Sequence, residues 1–186
     1  DLQVSTETDH ASGFVVRWSP DGRWLAYWSD ASGEYQLTLS SPDGRLAPRV
    51  LTQGVRAHPY AMRWSPDSRK LVWSDKTGRL YWCDVTTGRV NTVDKDERRD
   101  ILEYEWSPDS RWIVYTKHTP SFLGRLHLYS LTDQRITAVT DGISDDFSPS
   151  FDPGGRWLYF VSWRTLTMDP GHFENQMAFM PSARVY

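Results

Sequence analysis

One hexapeptide occurs four times along the chain and constrains the fold more than any other feature. It reads Trp-Ser-Pro-Asp-Gly-Arg at 18–23 and recurs at 64–69, at 106–111 and, in a looser form, at 151–156. The copies lie roughly 45 residues apart, which is the length of one four-stranded propeller blade and too long for a leucine-rich or ankyrin repeat. The repeat therefore predicts a series of similar small sheets.

Each copy also has the pattern of four strands. A short apolar run precedes the hexapeptide and predicts an inner strand, and Ser-Pro-Asp-Gly favours a tight turn, because proline pre-sets the backbone and aspartate bonds its own main chain. Aromatic and aliphatic runs such as Trp112–Lys117 follow at once, and they predict strands covered on both faces. The predicted fold is all-β, a partial β-propeller of about four blades, each a four-stranded antiparallel sheet.

The copies also predict how the chain is divided. We expect propeller blades over 1–163 and an irregular insertion over 164–186, with room for a further strand in Phe173–Phe179. The predicted parts of the first region are an outer strand at 2–6, blades at 14–52, 60–93 and 101–140, and an incomplete blade at 147–163. Because the sequence starts at Asp1 without an initiator methionine and ends at Tyr186 directly after a turn-like region, we expect a piece of a longer protein.

Charge and hydropathy exclude two classes of partner. The 21 basic and 24 acidic residues leave a net charge of −3, so the sequence predicts no nucleic-acid partner. Apolar stretches such as Trp157–Val161 are far shorter than the roughly 20 residues of a membrane span, so no membrane partner is expected either. The single cysteine, Cys83, lies in an apolar run and is interpreted as a buried thiol.

The hexapeptide resembles the repeat of TolB-like propellers, which is also found in tricorn proteases and, more loosely, in prolyl oligopeptidases. The stretch 141–160, followed by Arg164-Thr165, is similar to the closing blade of a tricorn propeller, although Gly154 replaces the expected turn aspartate. The resemblance implies a non-catalytic propeller segment of a cytoplasmic, oligomeric, tricorn-like serine peptidase, acting as scaffold and peptide-substrate filter. A TolB-like protein-binding module and the propeller of a prolyl-oligopeptidase-like enzyme are the alternatives.

No catalytic, cofactor-binding or metal-binding residue is expected in the chain itself. A nucleophilic serine would need a strained turn such as Gly-x-Ser-x-Gly, and the sequence has none. The serines of the hexapeptide, Ser19, Ser65 and Ser107, fit the first position of the turn. The five histidines do not occur at zinc-ligand spacings, and Asp145-Asp146 is interpreted as a solvated loop end.

Propeller ligands and partners use the loops that lead into the inner strands. These loops supply a mixed set of charged residues, which suits a wet passage for peptides more than a pocket for one small anion. The candidate channel-mouth contacts are Arg56, His58, Arg98, Arg99, Asp145 and Asp146.

Blade packing gives three further expectations. Trp18, Trp64 and Trp106 are expected to be largely buried between adjacent blades, and Glu105 is expected to meet a basic group or channel water. The arginines that follow the turn are expected to hold neighbouring blades together. They are Arg23, Arg69, Arg111 and Arg156. We also expect exposed blade faces to pair with the remainder of a parent propeller or with a second copy.

Overall fold

The structure is a computed structural model that describes residues 16–53, 55–170 and 177–186. Within these ranges the regular structure consists of antiparallel strands arranged in four sheets, one for each copy of the hexapeptide. The predicted all-β class and partial propeller are confirmed. No helix in the described part is long and apolar enough to cross a membrane. The predicted outer strand at 2–6 lies outside the described residues.

Three sheets have four strands in chain order. Blade 1 contains β1 (Arg17–Trp18), β2 (Leu25–Ser29), β3 (Gln36–Ser40) and β4 (Arg49–Val50). Blade 2 contains β5 (Arg63–Trp64), β6 (Lys70–Ser74), β7 (Arg79–Asp84) and β8 (Val90–Lys95). Blade 3 contains β9 (Tyr104–Trp106), β10 (Trp112–His118), β11 (Gly124–Ser130) and β12 (Arg135–Ala138).

Blade 4 differs from the other three. Its sheet contains β13 (Asp146–Phe151), β14 (Leu158–Pro170) and β15 (Met177–Val185). The described part of the insertion expected over 164–186 is not irregular, because β14 continues to Pro170 and pairs with β15. Strand β15 overlaps the C-terminal end of the further strand expected at 173–179. The pairing of these two strands satisfies the backbone groups along their shared edge, which an irregular segment would leave to solvent.

The turn of each hexapeptide is held by its own side chains. In blade 2, Ser65 Oγ donates to Asp67 Oδ1 at 2.5 Å and accepts the backbone N–H of Lys70 at 2.9 Å. Blades 1 and 3 repeat both bonds. In blade 4, Asp152 Oδ1 accepts the N–H of Trp157 at 2.5 Å, so this carboxylate replaces the serine hydroxyl and the turn closes despite Gly154.

The cores lie between neighbouring blades. Strand β6 shows the principle, because alternate side chains of a strand point to opposite faces. Leu71 and Trp73 pack into the cluster shared with blade 1, whereas Val72 packs into the cluster shared with blade 3. All three are almost fully buried, as the apolar run of this strand predicts.

The repeated tryptophans are buried only where a preceding blade covers them. Trp106 is 5% exposed and Trp64 is partly buried, but Trp18 is 59% exposed, so the expectation for Trp18 is wrong. Trp106 Nε1 donates to the carbonyl of Arg63 at 3.1 Å, and Trp64 Nε1 donates to that of Arg17 at 3.0 Å. Each indole thus packs on the blade before its own, and the described residues place no blade before Trp18.

The repeated arginines do not join the blades. All four side chains are exposed, and Arg23 lies 3.8 Å from Asp21 of its own turn. Serines make the contact instead, since Ser68 Oγ accepts the N–H of Asp21 and Ser110 Oγ accepts that of Asp67, each at 3.0 Å. The turns of the first three blades are therefore linked by serine hydroxyls.

Candidate functional site

The inner strands form the wall that faces the propeller axis. Strands β1, β5, β9 and β13 follow one another in neighbouring blades. The penultimate residue of each inner strand occupies an equivalent position on this wall. From blade 1 to blade 4 these residues are Arg17, Arg63, Glu105 and Ser150. The wall therefore changes from basic in blades 1 and 2 to acidic in blade 3 and neutral in blade 4.

Glu105 meets polar neighbours on this wall. Burial raises the pKa of its carboxyl, and a hydrogen bond with Ser150 and the charge of Arg63 act in the opposite direction without cancelling the effect of burial. Glu105 thus interacts with a basic group of the preceding blade, as the sequence predicts.

A cavity of about 550 Å³ opens between blades 3 and 4, at the loops that lead into their inner strands. Arg98 and Arg99 lie on one side, and Asp145 and Phe147 lie on the other. The remaining lining residues are Asp100, Leu102, Glu103, Thr116, His118 and Gly124. The cavity therefore combines both signs of charge with exposed apolar surface.

Two carboxylates of this cavity are held by blade contacts. Glu103 Oε2 accepts the hydroxyl of Thr116 at 2.9 Å and the N–H of Ser148 at 2.8 Å. Asp145 Oδ1 accepts the N–H of Gly124 at 2.6 Å. The bonds to Ser148 and Gly124 tie blade 3 to blade 4, and together the three bonds hold both carboxylates in place.

His118, which lines the cavity, pairs with the buried Asp96. His118 Nδ1 lies 2.9 Å from Asp96 Oδ2, which also accepts the backbone N–H of His118 at 2.8 Å. Burial of Asp96 disfavours its ionised form, but hydrogen bonds from the backbone N–H groups of His118 and Arg98 and from the His118 ring outweigh burial and lower the pKa of Asp96. The ionised carboxylate can only accept, so His118 Nδ1 is the donor.

Two glycines permit these close approaches. A Cβ at Gly124 would lie 2.5 Å from the carbonyl oxygen of Asp146, and one at Gly78 would lie 2.2 Å from that of Asp96. Both distances are too short for a side chain at either position. Glycine is therefore required where the loops meet, beside the residues that line the cavity.

The predicted contact residues do not gather at one place. Arg98, Arg99 and Asp145 line the cavity between blades 3 and 4, whereas Arg56 lines a separate cavity of about 360 Å³ between blades 1 and 2. The His58 ring lies edge-on to the ring of Tyr35, with the centroids 5.5 Å apart.

Asp146 does not lie at the surface, which corrects its interpretation as a solvated loop end. It is fully buried and accepts hydrogen bonds from Ser162 Oγ and, at 3.3 Å, from Arg164 Nη2. The strand position of Asp146 at the start of β13 explains this, because the residue faces β14. In this position Asp146 is a structural ion-pair partner.

The sequence interpretation missed Glu103, Asp96 and the role of His118. Asp96 and His118 are 22 positions apart and meet only because blades 2 and 3 are adjacent. The exposed apolar residues Leu102 and Phe122 were missed as well. Apolar residues in charged loops indicate surface exposure, and this pattern is visible in the sequence. Across the described ranges, no cluster of three or more His, Cys, Asp or Glu side chains could hold a metal ion.

The four antiparallel sheets each have an inner strand and a hexapeptide turn, and their inner strands together form a polar axial wall. This arrangement defines a segment of a β-propeller. The family model for the tricorn protease second beta propeller domain matches residues 4–186. The chain therefore belongs to this family, and the predictions of a tricorn-like propeller and of a region distinct from the catalytic domain are confirmed.

Known relatives agree with this assignment. Tricorn protease homolog 1 of Streptomyces coelicolor is 30% identical over 88% of this chain, and the chain spans 16% of that protein. The peptidase YuxL of Bacillus subtilis, described as uncharacterized, is 30% identical over 82% of the chain and is covered to 22%. The chain thus spans less than a quarter of either relative.

Solved structures show the same fold. The crystal structure of the tricorn protease superposes with a TM-score of 0.78 at 21% identity, over 88% of this chain and 16% of that chain. TolB from Acinetobacter baumannii gives a TM-score of 0.57 at 16% identity, over 92% of this chain and 43% of that one. At these identities the similarity shows the fold alone.

Proposed function

We propose that this chain is the non-catalytic propeller segment of a tricorn-like serine peptidase, where it acts as scaffold and as a filter for peptide substrates. The single observation that carries the filter role is the axial wall, on which Arg17, Arg63 and Glu105 occupy one repeated position. Charged side chains along a passage distinguish peptides by their charge before any chemistry occurs.

The predicted contact residues belong to the same proposal. Arg98, Arg99 and Asp145 line the cavity at the entrance side of blades 3 and 4, where a peptide arriving at the wall would first meet the protein. Arg56 and His58 belong to the corresponding loop between blades 1 and 2. We assign these loops to peptide contact, in a cytoplasmic peptidase.

The partner in this proposal is the remainder of the propeller or a second copy of the chain. Trp64 and Trp106 each donate an indole hydrogen bond to the blade before, and Trp18 occupies the same place with its ring exposed. A blade that presents a strand carbonyl to Trp18 would complete the pattern. Blade 4 exposes Trp157 and Tyr159 at the other end, and these residues supply a second apolar surface.

The experiment uses the natural polypeptide in which this chain occurs. A serine-directed covalent inhibitor should abolish its hydrolysis of peptides and should leave residues 1–186 unlabelled, as shown by peptide mapping. Hydrolysis that resists the inhibitor, or label within this chain, would contradict the proposed parent.

A matched pair of variants tests the filter role. Ser150→Trp adds bulk to the axial wall, so hydrolysis of long peptides should fall more than hydrolysis of a short chromogenic peptide. Arg111→Trp places the same indole on an exposed turn outside the axial wall, and it should change neither rate. Equal losses for long and short substrates in Ser150→Trp would contradict a filter.

The TolB-like alternative has weaker support. The superposition on TolB is poorer than that on the tricorn protease, and the family match is to a tricorn domain. A chain that bound partner proteins without any associated peptidase activity would favour it.

A further inference from the structure

Two arginine side chains form the basic part of the axial wall. Arg17 and Arg63 share one cavity of about 350 Å³ with Glu105, and indole rings from all three blades also line it. Each arginine immediately precedes the repeated tryptophan of its strand, so the two occupy equivalent places in neighbouring blades. The repeat therefore places two guanidinium groups on the same face of the wall.

The backbone under both arginines is fixed, whereas the side chains remain available. The carbonyl of Arg17 accepts the indole N–H of Trp64 and that of Arg63 accepts the indole N–H of Trp106. Both arginines are exposed, and no ion pair within the described ranges includes either of them. Within the part of the chain that the structure describes, their guanidinium donors are therefore available to a ligand, in a planar geometry that suits carboxylates.

Glu105 offsets this charge only in part. Its carboxylate bonds to Ser150 of blade 4 and feels the charge of Arg63, but among the described residues it forms no ion pair with either arginine. The wall therefore has an excess of positive charge over blades 1 and 2, although the whole chain has a net charge of −3. The positive charge at this site is therefore a local property, because the composition of the whole chain is net negative.

We infer that the axial wall at Arg17 and Arg63 binds side-chain carboxylates of extended peptides, so that the propeller favours acidic peptides over neutral and basic ones. This inference rests on the proposed function, in which a peptide passes the wall, and it names the class of peptide. Nucleic acid is a poorer match, because only two guanidinium groups are available and Glu105 in the same cavity repels phosphates.

The test measures binding of the 186-residue chain to fluorescent peptides by anisotropy at low ionic strength. The probe contains two glutamates, and its matched controls replace both with glutamine or with lysine. Both ends of every peptide are capped, so that any effect of a carboxylate comes from side chains. The glutamate peptide should bind most tightly, and added salt should weaken it, because exposed ion pairs are screened.

Four variants locate the binding. Arg17→Gln and Arg63→Gln should each weaken the glutamate peptide about threefold, and the double variant about tenfold, the range of exposed ion pairs. Glu105→Gln should tighten it about twofold, because a repelling charge is removed. Arg111→Gln makes the same charge change on an exposed turn outside this cavity and should have no effect.

The outcomes separate this inference from the proposed function. Equal affinity for the glutamate and glutamine peptides, unchanged binding in the double variant, or tighter binding of an oligodeoxythymidine would overturn the inference. None of these results would touch the serine-peptidase assay of the natural polypeptide, whose failure contradicts the proposed parent instead. Binding of the expected order with loss in the double variant and gain in Glu105→Gln would establish the site.

Discussion

The indole Nε1 of Trp106 donates a hydrogen bond of 3.1 Å to the carbonyl oxygen of Arg63 in the preceding blade. Trp64 makes the same bond to Arg17 at 3.0 Å. One side chain of the hexapeptide therefore joins blade 2 to blade 1 and blade 3 to blade 2, and it also fixes the backbone of the residue that faces the axis. Blade packing and the axial wall are coupled through this bond.

The first prediction tests the packing of Trp106. Trp106→Ala should lower the free energy of unfolding by about 3 to 5 kcal/mol, the usual range for deletion of a buried large aromatic side chain. Trp106→Phe retains a ring but leaves the carbonyl of Arg63 without its donor, so it should cost about 1 to 3 kcal/mol. Urea denaturation measures both values.

Trp18→Ala is the matched control, because Trp18 has the same place in the repeat but is mostly exposed. It should cost under about 1 kcal/mol, as expected for a surface substitution. A cost for Trp18→Ala equal to that of Trp106→Ala would show that exposure does not distinguish the two positions, and it would contradict the packing order of the blades.

The second prediction concerns Gly155 at the contact between blades 3 and 4. Ser68 and Ser110 adopt positive φ values of 58° and 61° and accept the N–H of an aspartate in the preceding turn. Gly155 has a similar φ of 66° but no side chain, and a Cβ there would make only ordinary contact with Pro108. The contact between these blades thus lacks the serine bond.

Gly155→Ser should therefore be more stable than Gly155→Ala by about 1 kcal/mol, the value of one hydrogen bond. Both variants bear the same strain of a side chain at positive φ, so their difference isolates the new bond to the N–H of Asp109. Thermal unfolding of the two variants side by side measures it. Equal stability would show that blade 4 is not placed on blade 3 as the earlier blades are placed on each other.

The regular parts of the blades could be predicted from the sequence. The run Lys70–Ser74 predicts β6 with its observed bounds, because an apolar strand covered on both faces leaves a continuous signal. The inner strands are harder to predict, because the run Tyr60–Trp64 indicates a strand over its whole length but β5 contains only Arg63–Trp64. Tyr60 donates its backbone N–H to Ser74, outside the ladder of β5, and this bond depends on the loop path.

The candidate site was less predictable than the fold. Charged loops were identified because they precede each inner strand, but the pairing of His118 with Asp96 depends on how two blades lie side by side. The burial of Asp146 is also a tertiary effect, since Asp145 next to it lines the cavity. A single sequence gives the residue types of such loops without the contacts that separate a ligand-binding carboxylate from a structural one.

The third prediction concerns the pH dependence contributed by Asp96. Its pKa in the folded protein is lower than the ordinary value of 3.8, so the unfolded chain binds the proton more tightly and ionised Asp96 stabilises the fold. This contribution is present above about pH 4 and is lost as the pH falls through the folded pKa. Asp96→Asn should therefore destabilise the protein most near pH 7, and its difference from the parent chain should shrink below pH 4.

Denaturant midpoints measured between pH 7 and pH 3 provide the test. Glu97→Gln is the matched control, because Glu97 is on the same loop and forms only an exposed ion pair with Lys95. It should shift the midpoint little at any pH. A difference between Asp96→Asn and the parent chain that grew as the pH fell would reverse the sign and rule out the stabilising role of the ionised carboxylate.

The fourth prediction concerns Cys83, which is fully buried in the cluster between blades 1 and 2. Burial raises the pKa of its thiol to about 12, so the reactive thiolate is scarce at neutral pH. A thiol reagent should label Cys83 only after the protein unfolds. Labelling of the folded chain at the rate of a free thiol would contradict the placement of β7 against blade 1.

The last prediction concerns the apolar surface at the two ends of the blade series. Trp18 is exposed on blade 1, and Trp157, Tyr159 and Trp163 are exposed on blade 4. Exposed aromatic surface of this kind normally marks an interface. At micromolar concentration the chain should therefore sediment as a dimer or larger species and bind a hydrophobic dye.

A charge at one end should prevent this association. Trp18→Glu places a carboxylate where a preceding blade would pack, so it should shift sedimentation toward the monomer, because burial of an unpaired charge is unfavourable. Ile143→Glu is the control, since Ile143 is equally apolar and 79% exposed but lies on the loop at the cavity mouth. It should leave association unchanged. A compact monomer that binds no dye, with or without the Trp18 substitution, would show that the ends meet each other, and it would favour a closed four-bladed ring over an open series of blades.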